Sequence, residues 1–221
     1  DRVPVFPMPG FFAAYYGGYT PYDVMYDYDK LMESFTKMMV DMAPDAHGSV
    51  AGAPPGILHE ILDYKLYHWP GHGVPKNASY QAREGEYMKA NEYDALIADP
   101  TFFFLTIWLP RIMGKLEGLK NLSPFTNMTE MYGGFTSAAF VPLGIPPVQE
   151  ALKAMMAAGN EALKWIQVVV AYGMKMTSLG FPTFFGGGTK APFDTIGDTL
   201  RGTRGIIMDM YRQPNKLLRA C

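Results

Sequence analysis

Tyr15-Tyr16-Gly17-Gly18-Tyr19, the single strand-like site of His47, and the run Gly186-Gly-Gly-Thr-Lys190 with Asp194 close behind hold the side chains best suited to chemistry. Aromatic faces among glycines suit a flat macrocycle or a methylated cation, by stacking and cation–π attraction. The alternative is that Tyr15 and Tyr19 pack beneath a covering segment. His47 lies within Pro44-Asp-Ala-His-Gly-Ser-Val50, where strand alternation points it to one face, as a hydrogen-bonded core residue or as an acid–base group or metal ligand. Lys190 follows glycines whose amides could cradle an anion while the ammonium adds charge. That run lacks the spacing and the Ser/Thr after Lys of a nucleotide-binding Walker loop. Asp194 is placed either to line a pocket or to cap the helix that follows Pro192. His68 and His72 stand four apart, but Pro70 and Gly71 between them oppose the helix that would pair them. His59 reads as a helix-surface residue. Arg201, Arg204 and Arg212, with Asp198 and Asp209, read as a solvated helix face.

The elements that must position these groups alternate between short apolar runs and longer periodic ones. A strand is expected at Gly180-Phe-Pro-Thr-Phe-Phe185. Residues 20–43 carry apolar positions at helical spacing, with Asp29 as the candidate cap. A short helix is expected at 57–64, a loop at 67–77, helices at about 83–98, 99–118 and 124–140, and an amphipathic helix over 148–180 with Gly159 and Gly173 as candidate breaks. Ile196, Leu200, Ile206, Ile207, Met210 and Tyr211 mark one face of a last helix, stopped by Pro214.

A chain of 221 residues carries enough apolar material, 48% of its residues, to bury one sizeable core, so residues 1–221 are expected to form a single domain. A net charge of −2 and a pI near 6.1 leave no large basic face for nucleic acid. No run approaches the roughly 18 uncharged apolar residues of a membrane-spanning helix. Cys221, the one cysteine, excludes an internal disulfide and a cysteine-built metal site, and fits a reducing cytoplasm. The sixteen methionines read as core filling by a flexible, polarizable side chain, against the alternative of a Met-rich binding surface.

The order of these pieces resembles the uroporphyrinogen decarboxylase superfamily, which includes methyltransferases acting on corrinoid cofactors and coenzyme M. The resemblance is carried by Arg2 to Met8, by 44–50, by Tyr64-Lys-Leu-Tyr-His-Trp-Pro-Gly-His-Gly73 with Glu84-Gly-Glu-Tyr-Met88, and by Lys190 to Pro214. It implies an α/β fold, a TIM (β/α)8 barrel with Arg2 to Met8 as its first strand, 44–50 as its second and a helical lid over 53–147, of which this chain holds the amino-terminal part. True decarboxylases of that family continue their first strand into Met-Arg-Gln-Ala-Gly-Arg-Tyr; here Met8-Pro-Gly-Phe-Phe-Ala-Ala-Tyr15 lacks both arginines, and Gly52 stands near the position of their pyrrole-binding Asp. The resemblance therefore favours the methyltransferase branch. It implies methyl transfer with a corrinoid protein or a small thiol or methylated substrate, and zinc ligands lying outside this chain. His47 and Asp194 would be the catalytic residues, and Tyr15, Tyr19 and Lys190 would bind substrate. The alternatives are a diverged tetrapyrrole decarboxylase and a non-catalytic binding or assembly protein, with a homo-oligomer or a completing chain as partner.

Overall fold

Long amphipathic repeats outweigh short apolar runs in this chain, and the computed structural model, which describes residues 2–127, 134–184 and 186–221, is accordingly 65% helical. Its helices are α1 (Phe12–Tyr16), α2 (Pro21–Tyr26), α3 (Tyr28–Met42), α4 (Gly56–Leu62), α5 (Tyr93–Ala98), α6 (Pro100–Phe103), α7 (Leu109–Ile112), α8 (Gly134–Ala139), α9 (Val141–Gly144), α10 (Pro146–Ser178), α11 (Pro192–Asp194), α12 (Gly202–Arg212) and α13 (Pro214–Ala220). Strands β1 (Tyr67–Pro70), β2 (Gly73–Val74) and β3 (Gln81–Ala82) make one small mixed sheet in the order β2-β1-β3, with Tyr67 opposite Ala82 and His68 opposite Gln81. The expected TIM barrel is not formed: this sheet is the only one among the described residues. The three segments expected as barrel strands lack regular strand pairing. Residues 2–7 form no ladder, and 44–50 and 180–184 share a single parallel bridge, His47 with Thr183. The prolines at 4, 7, 44 and 182 explain why, since each removes a ladder donor. Phe185 and part of the helix expected at 124–140 lie outside the described residues.

The chain divides into two compact units. The first comprises Asp1–Glu60, Tyr67–Ala82 and Ala158–Gly188, and the second Ile61–Leu66, Arg83–Ala157 and Thr189–Cys221.

In the first unit, Thr20 opens α2 with a reciprocal capping box to Asp23, and Asp27, rather than Asp29, caps α3 by accepting from the amides of Asp29 and Lys30 at 3.1 Å each. Leu31, Phe35, Met38 and Met39 then form the buried stripe of α3, at i, i+4, i+7 and i+8. Met25, Met38, Met39 and Met176 are fully packed, as core filling requires, while Met8, Met42 and Met174 are exposed. Residues 158–178 of α10 place Tyr172 and Met176 in this core and leave Leu163, Ile166, Val170 and Met174 exposed. Gly159 and Gly173 do not interrupt the helix.

The second unit packs Met88, Tyr93, Leu96, Phe103, Ile196, Leu200, Ile206 and Leu217 into one cluster. Between α6 and α7 the chain widens to a π turn over Phe104–Trp108. Pro110 lacks the amide that would donate to Thr106 and its ring crowds that carbonyl, so a wider turn just before it relieves both defects. A second π turn, Thr195–Arg201, ends at Gly202 with φ of +68°. A β-carbon on Gly202 would also lie 2.8 Å from the carbonyl oxygen of Gly85, so glycine is required here twice over. This break resets the helical phase. Ile196, Leu200 and Ile206 are buried as expected, but Ile207, Met210 and Tyr211 are exposed.

Candidate functional site

Two clefts, one in each unit, collect the polar and glycine-rich segments of the sequence.

In the first unit, the extended segments at 2–7, 44–48 and 182–184 are tied side by side. The Asp45 amide donates to the Val5 carbonyl at 3.0 Å, the His47 amide to Pro182 at 2.9 Å, and the Phe184 amide to His47 at 3.2 Å. Asp45 strengthens the edge: the Val5 amide and the Arg2 guanidinium both donate to its carboxylate and hold it below the usual carboxylate range. Phe6 stacks on Phe184 at 4.1 Å. The residues that follow these segments, Met8 to Gly10, Gly48 to Gly52 and Gly187-Gly188, together with Phe6 and Tyr80, wall a cleft of about 460 Å³. None of its described lining residues is charged. Its side-chain polar groups are the Tyr80 hydroxyl, which donates to the Gly52 carbonyl at 3.2 Å, and the Ser49 hydroxyl, which accepts from the Ala51 amide at 3.0 Å. Burial raises the Tyr80 phenol above its ordinary range, so it stays protonated.

The five residues singled out from the sequence do not meet in this cleft. Tyr15 is on α1, half exposed, its hydroxyl donating to the Asn77 carbonyl at 2.7 Å. Tyr19 donates to Glu33 at 2.8 Å, and that bond raises its phenol above the ordinary value. His47 is 4% exposed and is not among the lining residues. Its Nδ1 is 2.8 Å from the Gly48 carbonyl, its ring stands edge-on to Tyr172 at 5.7 Å, and its Nε2 makes no hydrogen bond among the described residues. Lys190 and Asp194 belong to the second unit. Lys190 pairs with Asp198 at 2.9 Å, so it is not a free cation over the glycine run, and Asp194 is exposed and makes no capping bond.

His59, expected on a helix surface, is instead part-buried beside Trp69, ring centres 5.3 Å apart. Burial, with the nearby His72, lowers its pKa to about 4. His68 lies in β1 and His72 in the turn after it, so the i, i+4 spacing pairs nothing. His72 Nε2 lies 3.2 Å from Glu60, and its ring stacks on Trp69 at 4.5 Å.

The second cleft, about 630 Å³, is bounded by Glu84–Glu86 and by 201–213. Its wall contains a buried ionic knot that the sequence reading placed in solvent. Arg201 is 3% exposed and Asp209 is 2% exposed. Arg201 Nε donates to Asp209 Oδ2 at 2.5 Å and Nη2 to Oδ1 at 3.3 Å, while Nη1 meets Glu86 and the Met88 carbonyl. Asp209 also accepts from Tyr93 and from Gln213, each at 3.0 Å. Burial opposes ionisation of Asp209, but Arg201, Gln213 and Tyr93 overcome it and hold the carboxyl below its usual range. The available sequence signal was that Asp209 stands three residues after Ile206, on the buried side of α12.

Among the described residues no group of three His, Cys, Asp or Glu is disposed to hold a metal ion. No helix among them is long and apolar enough to cross a membrane. Comparison with protein-family models, with curated proteins and with solved structures finds no match for this chain.

Proposed function

We propose that this chain serves methyl transfer of the kind carried out in the uroporphyrinogen decarboxylase superfamily, moving a methyl group between a small methylated substrate and a thiol or a corrinoid protein. One observation carries the reading: two of the segments on which the family resemblance rests, 2–8 and 44–50, are tied in one row with 182–184, and the residues that follow these three wall one uncharged cleft. Its volume suits a small molecule. The Phe6 and Tyr80 rings offer faces to methyl groups and to a methylated cation. A substrate rich in carboxylates would find no cation there, and Lys190, the cation a diverged decarboxylase would use, is engaged by Asp198.

Zinc, which the resemblance implies, does not fit the donors of this cleft. Two neutral hydroxyls already in hydrogen bonds are poor ligands beside imidazole or thiolate. The corrinoid enters as the cofactor of a partner protein. What the chain's own residues do is desolvate the methyl donor and hold it against aromatic faces, so that the acceptor meets it in line.

The test is to mix the purified protein with tetramethylammonium and chemically reduced cob(I)alamin and follow the cobalt spectrum. The methyl carbon leaves nitrogen, which keeps the electron pair of the broken bond as trimethylamine, and the added reduced corrinoid supplies the pair for the new bond. The reading expects transfer above the protein-free rate, abolished by Gly187→Phe. An open position with nothing within 4 Å lets that side chain fill the cleft without backbone strain. Carbon dioxide release from uroporphyrinogen without methyl transfer would instead support the decarboxylase alternative, and inertness in both assays would point to a non-catalytic binding role.

A further inference from the structure

The 630 Å³ cleft of the second unit plays no part in the reading above, and its chemistry is the opposite of the apolar cleft. Three guanidinium groups, Arg201, Arg204 and Arg212, line it together with Glu84, Glu86 and Asp209. Asp209 and Glu86 are paired with Arg201, while Glu84 keeps its charge and is turned to a backbone amide. Both oxygens of Asp209 accept from Arg201, and Tyr93 and Gln213 add to them; Glu86 accepts from Arg201; Glu84 accepts from the Thr203 amide at 2.8 Å. Arg204 and Arg212 are exposed and make no ion pair or side-chain hydrogen bond among the described residues. The positive charge of Arg201 is spent within the wall, while that of Arg204 and Arg212 faces the cleft unused.

The wall that presents them is rigid. The close approach of Gly202 to the Gly85 carbonyl and the buried Arg201 knot fix α12 against 84–88. Arg204 and Arg212 are eight residues apart on α12, roughly 12 Å along its axis at 1.5 Å per residue. That spacing is too long for one small ion and suits two oxyanions on one molecule. Guanidinium binds carboxylate and phosphate oxygens in the same forked geometry.

We propose that this cleft binds a small molecule carrying two separated anionic groups, one held by Arg204 and the other by Arg212. The shared chemistry admits a dicarboxylate or a bisphosphate, and the experiment separates them. The full chain is titrated calorimetrically with adipate, with 1,4-butanediol bisphosphate and with acetate, each first at one fixed ionic strength. One of the two two-headed anions is expected to bind at least tenfold more tightly than acetate, more weakly as salt is raised. Preference for adipate names a dicarboxylate site and preference for the bisphosphate a phosphate site. Arg204→Gln and Arg212→Gln are each expected to weaken the preferred two-headed anion about tenfold, and the double variant to abolish binding. The unliganded melting temperatures should stay within a degree or two, because both side chains are exposed and unpaired. Equal binding of acetate, binding retained in the double variant, or no binding of either two-headed anion would overturn the proposal.

Discussion

The two units bury an acid in different ways. In the first, Glu161 is 4% exposed and is held by the Tyr28 hydroxyl at 2.5 Å and by Lys164 at 3.0 Å, whose own side chain lies in solvent. In the second, Asp209 is met by a guanidinium as buried as itself, plus a phenol and an amide. Burial works against ionisation of both, and in both the hydrogen bonds win. The difference lies in redundancy. Glu161 depends on one neutral donor and one screened cation, whereas Asp209 belongs to a network that also fixes α12 and a cleft wall. A buried pair is costly to assemble and more costly to break on one side. The second unit should therefore be brittle at one residue, and the first tolerant.

Removing Arg201 is the strongest way to break this contrast. Arg201→Ala strands Asp209 and Glu86 and should cost about 3–5 kcal/mol in urea unfolding. Arg201→Lys should recover less than half, because an ammonium cannot reproduce the fork on Asp209 and the bond to Met88. A loss below about 1 kcal/mol would show that the knot holds nothing.

His59 gives the first unit a dependence on acid that sets in at higher pH than that of the knot, whose carboxyl titrates below the usual carboxylate range. Its folded pKa of about 4 lies below the ordinary value of 6.5. The neutral ring therefore contributes stability that is fully present above about pH 6.5 and lost as pH falls toward 4. The shift corresponds to about 3 kcal/mol in full, of which about 2–3 kcal/mol is lost between pH 7.5 and 4.5. Urea midpoints of the wild type and of His59→Gln at pH 7.5 and 4.5 isolate it, since the carboxylates titrate alike in both; parallel losses would refute it.

Tyr28→Phe sharpens the comparison further. It leaves Glu161 with Lys164 alone and should cost about 1–2 kcal/mol, while Tyr93→Phe should cost less, as Asp209 keeps three donors. A larger loss at Tyr93 would reverse the proposed order of redundancy. The smallest effect is expected on the exposed stripe of α10, where Leu163→Glu or Val170→Glu should move stability by no more than about 0.5 kcal/mol. Sedimentation of these variants beside the wild type would also reveal any self-association through that face.

The elements read best where a local signal was sufficient. Pro146-Pro147 opens α10 and its apolar spacing runs unbroken to Ser178; 56–62 and the α3 stripe of Leu31, Phe35, Met38 and Met39 likewise follow from periodicity and caps. The expected barrel failed because a short apolar run such as 180–184 is a strand only if partners complete its ladder, and proline in each of the three runs withholds donors. The cap of α3 moved from Asp29 to Asp27 because either aspartate satisfies the local pattern and only the backbone angle at the turn separates them.

Of the candidate site, the sequence marked Gly52 and the Gly187-Gly188 run as loop positions after apolar segments, and these do wall a cleft, together with Gly48, which was expected inside a strand. Its residue types also determined by themselves that no internal disulfide forms, because a single cysteine has no partner. Only the tertiary structure decided that His47 turns into the core, that Lys190 is paired, and that Arg201 and Asp209 are buried while Ile207, Met210 and Tyr211 are exposed. For the residues of the last helix the reason is the positive φ of Gly202, which resets the helical phase between Leu200 and Ile206. A periodicity count assumes one continuous helix, and whether a glycine continues or breaks it depends on what packs against it, here the carbonyl of Gly85.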